Sequence, residues 1–264
     1  MTRRLGIFGG TFDPIHYGHL AIAEEAREAL ALERVLFVPA GAPPHKQDRP
    51  TSPAVHRAAM VAAAIADNPA FELSRIELDR PGPSYTVDTI RSLRASVAAD
   101  DGDELWFVLS VEALRELPTW HEPLALVGLC RFAVAPRPGV ARPSRRWLVE
   151  ALGTAEPFVF LDGPHVGISA SEIRARVAAG RSIRYLVPPP VAAYVATHGL
   201  YAGPEWRNAA AVGGLRRRRL AGSVVGRPGV DVGEPIDRGR SLPGGRSAGS
   251  GSLGTGARGE RIRA

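Results

Sequence analysis

Short apolar runs alternate with helix-period stretches up to about residue 200. The runs Arg4–Phe8, Arg34–Pro39 and Leu105–Leu109 are bounded by turn-type residues and predict strands. Glu72–Ile76, Arg131–Ala135 and Pro157–Leu161 predict further, shorter ones. Between them, Gly18–Leu32 places apolar residues at Leu20, Ile22, Ala23, Ala26 and Leu30, the spacing of one helix face. His56–Ala66 predicts an alanine-rich helix stopped by Asp67-Asn68-Pro69, and Thr86–Val97 another. Ser169–Ala179 and Pro190–His198 predict two closing helices. Strand–helix alternation of this kind implies an α/β fold, a doubly wound and mostly parallel sheet with helices on both faces. Ligands in such sheets bind outside the carboxyl ends of the strands.

After Tyr201 the alternation stops. Residues 204–264 are rich in Gly, Arg and Ser and show no sustained period, so burial cannot offset the entropy of ordering them. The expected division is a folded domain over 1–203 and a disordered basic tail over 204–264. Charge divides in the same way. The chain is +6 overall, but Glu205–Ala264 holds twelve arginines against five acidic residues, +7, leaving −1 for the rest. A near-neutral body argues against a general nucleic-acid surface, and no nucleic acid is required. The run Arg216-Arg217-Arg218-Arg219 is at most a weak contact for RNA or anionic lipid. No apolar run of about 18 residues marks a membrane span. The apolar stretch after Arg3-Arg4 breaks at Gly9-Gly10, too soon for a signal peptide. A single cysteine, Cys130, excludes an internal disulfide framework and a cysteine-rich zinc site. The expectation is a cytoplasmic protein, off the membrane, with no metal held by protein ligands alone.

The candidate chemistry begins at the first strand's end, in Gly9-Gly10-Thr11-Phe12-Asp13-Pro14-Ile15-His16-Tyr17-Gly18-His19-Leu20. Two glycines predict a sharp turn and close backbone approach to a ligand. The helix start offers free N–H groups and the positive dipole end, which suits phosphate. His16 and His19, three apart, share a side of the first turn and can donate hydrogen bonds or, if protonated, carry charge. A second phosphate-type segment is Gly167-Ile168-Ser169-Ala170-Ser171-Glu172-Ile173-Arg174. Ser169 and Glu172 fit a capping box, while hydroxyls at a helix start with Arg174 in its first turn also make an anion site. Of 33 basic residues only Lys46 is a lysine. It lies in Pro43-Pro44-His45-Lys46 on the loop after the second strand, and marks a place where a slender point charge is wanted.

These segments resemble the nucleotidylyltransferase superfamily, Rossmann-like in fold, which shares its HxGH element with class I aminoacyl-tRNA synthetases. The resemblance sharpens to the bacterial nicotinate-nucleotide adenylyltransferases through four more segments. They are Val38–Lys46, Pro83-Ser84-Tyr85-Thr86-Val87-Asp88-Thr89, Leu117-Pro118-Thr119-Trp120-His121 and Arg137-Pro138-Gly139. It spans about residues 3 to 201. It implies transfer of AMP from ATP, brought with Mg²⁺, to nicotinic acid mononucleotide, in NAD biosynthesis. On the ATP side it implies Gly9, Gly10, Thr11, Phe12, His16 and His19, with Ser110, Glu112 and Arg137 around the nucleoside. Ile168, Ser169, Ser171 and Arg174 would hold the β- and γ-phosphates. His16, His19 and Lys46 are the implied catalytic groups, and Asp13 a structural brace. On the acceptor side it implies Lys46, Tyr85, the Thr86 and His121 amides on the nicotinate carboxylate, and Trp120 stacked on the pyridine ring.

Two departures qualify the match. Ala170 and Ser171 stand where Ser and Thr are usual, which removes a hydroxyl worth about 1 kcal/mol. Ser110-Val111-Glu112 replaces the usual G-x-D after the LWFVL strand, so the ribose contact does not carry over directly. Nicotinamide mononucleotide and phosphopantetheine remain alternative acceptors, as does cytidylyl transfer. A catalytically inactive nucleotide-binding regulator whose tail docks to RNA is the alternative from another class. Oligomeric state is not legible.

Overall fold

Each strand of the sheet interior is apolar on both sides because each side has a helical layer to meet. The structure, a computed structural model, describes residues 3–41, 50–96, 102–203 and 206. Among them six strands form one parallel sheet. They are β1 (Arg4–Gly10), β2 (Arg34–Pro39), β3 (Phe71–Leu73), β4 (Glu104–Ser110), β5 (Arg131–Ala135) and β6 (Phe158–Phe160), in the order β3-β2-β1-β4-β5-β6. The expected doubly wound sheet is therefore present, and every described pairing is parallel.

Successive residues alternate between two buried clusters, as the period-2 geometry of a strand requires. Val35, Phe37, Trp106 and Val108 enter one cluster, under helices α1 (Tyr17–Ala29), α2 (Ala54–Ile65), α7 (Ala170–Ala178) and α8 (Pro189–Thr197). Leu36, Val38, Leu105, Phe107 and Leu109 enter the other, under α3 (Thr86–Ser96), α4 (Val111–Glu116), α5 (Pro123–Leu129) and α6 (Arg145–Leu152). Helices α4, α5 and α6, with a 3₁₀ turn at Leu117–Thr119, are additions to the expected elements. The expected strand at Glu72–Ile76 shrinks and shifts to Phe71–Leu73.

Register brings the strand ends together. Gly10 pairs with Pro39 and Ser110 with Ala135, so the loops that follow β1, β2, β4 and β5 leave one edge of the sheet. The chain's direction of progress reverses between β1 and β4, which opens a crevice there.

The tail expected over 204–264 lies outside the described residues except for Trp206. That residue is buried at 8% exposure and sets its ring edge-on to Tyr201.

Candidate active site

At the β1–β4 switch point the chain leaves Gly10 and enters α1 through Thr11–His16. The expected sharp turn at Gly9-Gly10 is not there. Both belong to β1, and positive φ appears instead at Phe12 (49°), just before the cis peptide Asp13–Pro14. A Cβ on Gly9 would meet the Phe107 ring at 3.2 Å, and one on Gly10 the Phe12 ring at 3.0 Å. The glycines thus make room for the protein's own rings. The Phe12 side chain, expected at ATP, is turned into the core against Phe8, Phe37 and His19.

His16 is the N-cap of α1 and is buried, with its ring stacked on that of His19 at 3.7 Å between centroids. Gly18 permits the stack, since a Cβ there would meet the His16 ring at 3.1 Å. His19 Nδ1 accepts the His16 N–H at 3.2 Å, so the proton of a neutral His19 ring sits on Nε2. His16 itself has its pKa pushed down to about 4, first by burial and then by the positive Arg137. At neutral pH it therefore contributes as a neutral imidazole, and not as the cation that the sequence left open.

Arg137 also explains part of the Ser110-Val111-Glu112 departure. Its Nε meets Glu112 Oε1 at 2.9 Å, so the extra methylene of Glu112 reaches a cation beside His16. The other oxygen, Oε2, is buried with no hydrogen-bond partner. Ser110 caps α4, its Oγ accepting the Ala113 N–H at 3.3 Å. In Arg137-Pro138-Gly139 the chain turns at Gly139 (φ 78°) and Arg137 bridges to Val140.

The second phosphate segment meets the first. Ser169 caps α7 and accepts the Glu172 N–H at 3.2 Å, which is half of the expected capping box. Arg174 donates to Asp13 O and to Ser171 Oγ (3.3 Å), with its guanidinium 5.1 Å over the Trp206 ring. Ile168 packs against the first cluster. Asp13 is the expected brace. Buried at 3% exposure, it accepts the Tyr201 hydroxyl at 2.7 Å and the Ser52 N–H at 3.1 Å. Arg57, also buried, donates to Thr11 O, Ser52 O and Gly41 O. Tyr201, Arg57 and Trp206 were not singled out by sequence reasoning.

On the acceptor side, Tyr85 and His121 lie ring against ring at 4.3 Å, joining the two segments that carry them. Trp120 is half-buried and meets Phe107 edge-on at 6.1 Å, the same ring that lies over Gly9. Thr86 opens α3, where the first amides have no acceptor within the helix. Lys46 lies outside the described residues.

A family model described as cytidylyltransferase-like matches residues 7–176. Two bacterial proteins are similar, each named "Probable nicotinate-nucleotide adenylyltransferase". That of Thermomicrobium roseum is 48% identical over 198 residues, covering 75% of this chain and 91% of the relative. That of Roseiflexus sp. is 49% identical over 200 residues, covering 75% and 97%. Among solved structures, Plasmodium falciparum nicotinic acid mononucleotide adenylyltransferase complexed with NaAD matches the fold. Its TM-score is 0.63 at 18% identity, covering 75% of this chain and 97% of that one.

Proposed function

Because the chain belongs to the nicotinate-nucleotide adenylyltransferase family, we propose that it transfers AMP from ATP to nicotinic acid mononucleotide. The products are deamido-NAD and pyrophosphate, and the step serves NAD biosynthesis. One observation carries this reading: Arg174 of the second phosphate segment is bonded to the Asp13 carbonyl of the loop that ends at the stacked His16 and His19.

An oxygen of the acceptor's 5′-phosphate attacks the α-phosphorus of ATP in line. The bond from that phosphorus to the α–β bridging oxygen breaks, and pyrophosphate leaves with the electron pair. No enzyme nucleophile takes part; positioning and charge neutralisation supply the catalysis. His19 offers its Nε2–H to the phosphate oxygens, His16 assists as a neutral ring, and Arg174 supplies a fixed positive charge. Lys46 takes the role that the family resemblance gives it, beside the reacting phosphates. Mg²⁺ enters as part of the ATP substrate, since it prefers phosphate oxygens and water. The Thr86 and His121 amides hold the nicotinate carboxylate, with Trp120 as the stacking face. Among the described residues no helix is long and apolar enough to cross a membrane, and a cytoplasmic site of action belongs to the same reading.

The test is pyrophosphate release from Mg-ATP with nicotinic acid mononucleotide and with nicotinamide mononucleotide. A clear preference for the acid is expected. Equal use of both would remove the acceptor assignment. Release with neither, from folded protein that binds ATP, would overturn the reading.

A further inference from the structure

Arg57 is 2% exposed, and its guanidinium donates to three backbone carbonyls. Nη1 donates to Thr11 O at 2.9 Å, Nε to Ser52 O at 3.0 Å and Nη2 to Gly41 O at 3.3 Å. Burying a guanidinium is costly, and the nearby Asp13 and Glu77 carboxyl groups only partly offset the penalty. For simple core filling an apolar side chain of similar volume serves as well. What an apolar residue cannot do is hold three separate carbonyls in the plane of one rigid fork.

The identity of those carbonyls gives the arrangement its meaning. Thr11 belongs to the ATP loop. Gly41 and Ser52 flank the stretch of sequence that carries Lys46. Gly41 is held from its other side too, because its N–H and the Ser84 hydroxyl donate to the Glu77 carboxylate, which also accepts Thr89 Oγ1 at 2.8 Å. The fit is tight: a Cβ on Gly41 would lie 2.3 Å from Glu77 O and 2.8 Å from Ser84 Oγ. Thr11, Arg57, Gly41, Glu77 and Ser84 thus form a continuous polar chain, buried at Arg57 and Glu77, from the ATP loop to the segment that opens α3.

We propose that Arg57 is a positioning residue for the transfer, setting the spacing between the ATP loop and the acceptor-side segments and so the line of attack. The proposal rests on the functional reading above. It places the effect of Arg57 in the transition state more than in the affinity for either substrate.

The experiment uses the full chain and measures pyrophosphate release per folded molecule, with kcat and both KM values, for wild type, Arg57→Lys and Gly41→Ala. Arg57→Lys keeps the charge and loses the fork; Gly41→Ala displaces the same junction from its other side. Each is expected to lower kcat by roughly 10- to 100-fold, the scale of a misplacement near 1 Å, with kcat/KM falling in parallel. The double variant should lose little more than the worse single one, because both disturb one junction. A lower melting temperature with unchanged kcat per folded molecule overturns the proposal, and so does a raised KM with unchanged kcat. If Arg57→Lys does not fold, Gly41→Ala decides by the same criteria. Wild-type protein that releases no pyrophosphate with nicotinic acid mononucleotide overturns the functional reading and the proposal with it. Active wild type beside a fully active Arg57→Lys overturns the proposal alone.

Discussion

His16 is buried, stacked on His19, and has its pKa pushed down to about 4, first by burial and then by Arg137. An exposed histidine titrates near ~6.5. Between these two values the unfolded chain holds a proton that the folded chain lacks. The stabilising contribution is therefore complete above about pH 6.5 and is lost progressively as the pH falls toward 4. At about 1.4 kcal/mol per pH unit, the full interval is worth about 3 kcal/mol. For a domain of this size each kcal/mol moves the melting temperature by about 2–4 °C. His16 alone should then account for a fall of roughly 6–12 °C between pH 7 and pH 4. Thermal melts of wild type and His16→Gln, followed by circular dichroism from pH 7.5 to 4.5, isolate it, because glutamine does not titrate. The wild-type curve should fall more steeply and converge on, or cross, that of the variant. Proton NMR of the His16 ring gives the midpoint directly. In Arg137→Met that midpoint should rise but stay below the exposed value, since burial is the larger cause. Parallel stability curves, or a wild-type midpoint at 6 or above, would refute the reasoning.

His19→Ala removes the Nε2–H donor while leaving the core rings Phe8 and Phe12 in place; turnover should fall by roughly 100-fold or more with an unchanged circular dichroism spectrum. Near-normal turnover would exclude a transition-state role. Tyr201→Phe deletes the 2.7 Å bond to buried Asp13, and chemical denaturation should show a loss of about 1.5–3 kcal/mol; an unshifted urea midpoint would argue against the brace. Trp120→Ala should raise the KM for the acceptor by roughly three- to tenfold, the scale of one aromatic stack, and leave the KM for ATP alone. A selective rise for ATP would move Trp120 to the other subsite.

The parts of the fold legible in the sequence were those whose signal is local. The cores of β1, β2 and β4 are continuous apolar runs because both faces are covered, and α1 shows its buried face as a repeat. Helices α4 to α6 were missed although their signals exist. Ser110 and Ser144 cap α4 and α6, Pro123 starts α5, and Gly153 ends α6 in the left-handed region. Short apolar stretches such as Pro123–Leu129 simply do not separate helix from strand by period. In the candidate site, the two segments that meet through Arg174 and Asp13 could be picked out because each is contiguous. Arg57 and Tyr201 could not, since their partners are backbone carbonyls and a carboxylate up to 188 positions away. The turn expected at Gly9-Gly10 was also misread: a sequence shows that a Cβ is missing, but not which ring occupies its place.

The strand order has a consequence for how the protein is made. β1, the first of these six strands in chain order, is interior to the sheet, and its second neighbour, β4, comes about a hundred residues later in the chain. Until then the nascent chain presents β1 with one unpaired edge, the kind of surface on which growing polypeptides associate wrongly. A hydrogen bond to the loop after β1 comes later still, from Tyr201 to Asp13. Contacts so distant in sequence slow folding. A ribosome-bound fragment that already contains both histidines therefore lacks the clamp that shapes their loop, and nucleotide chemistry waits for the body to be complete.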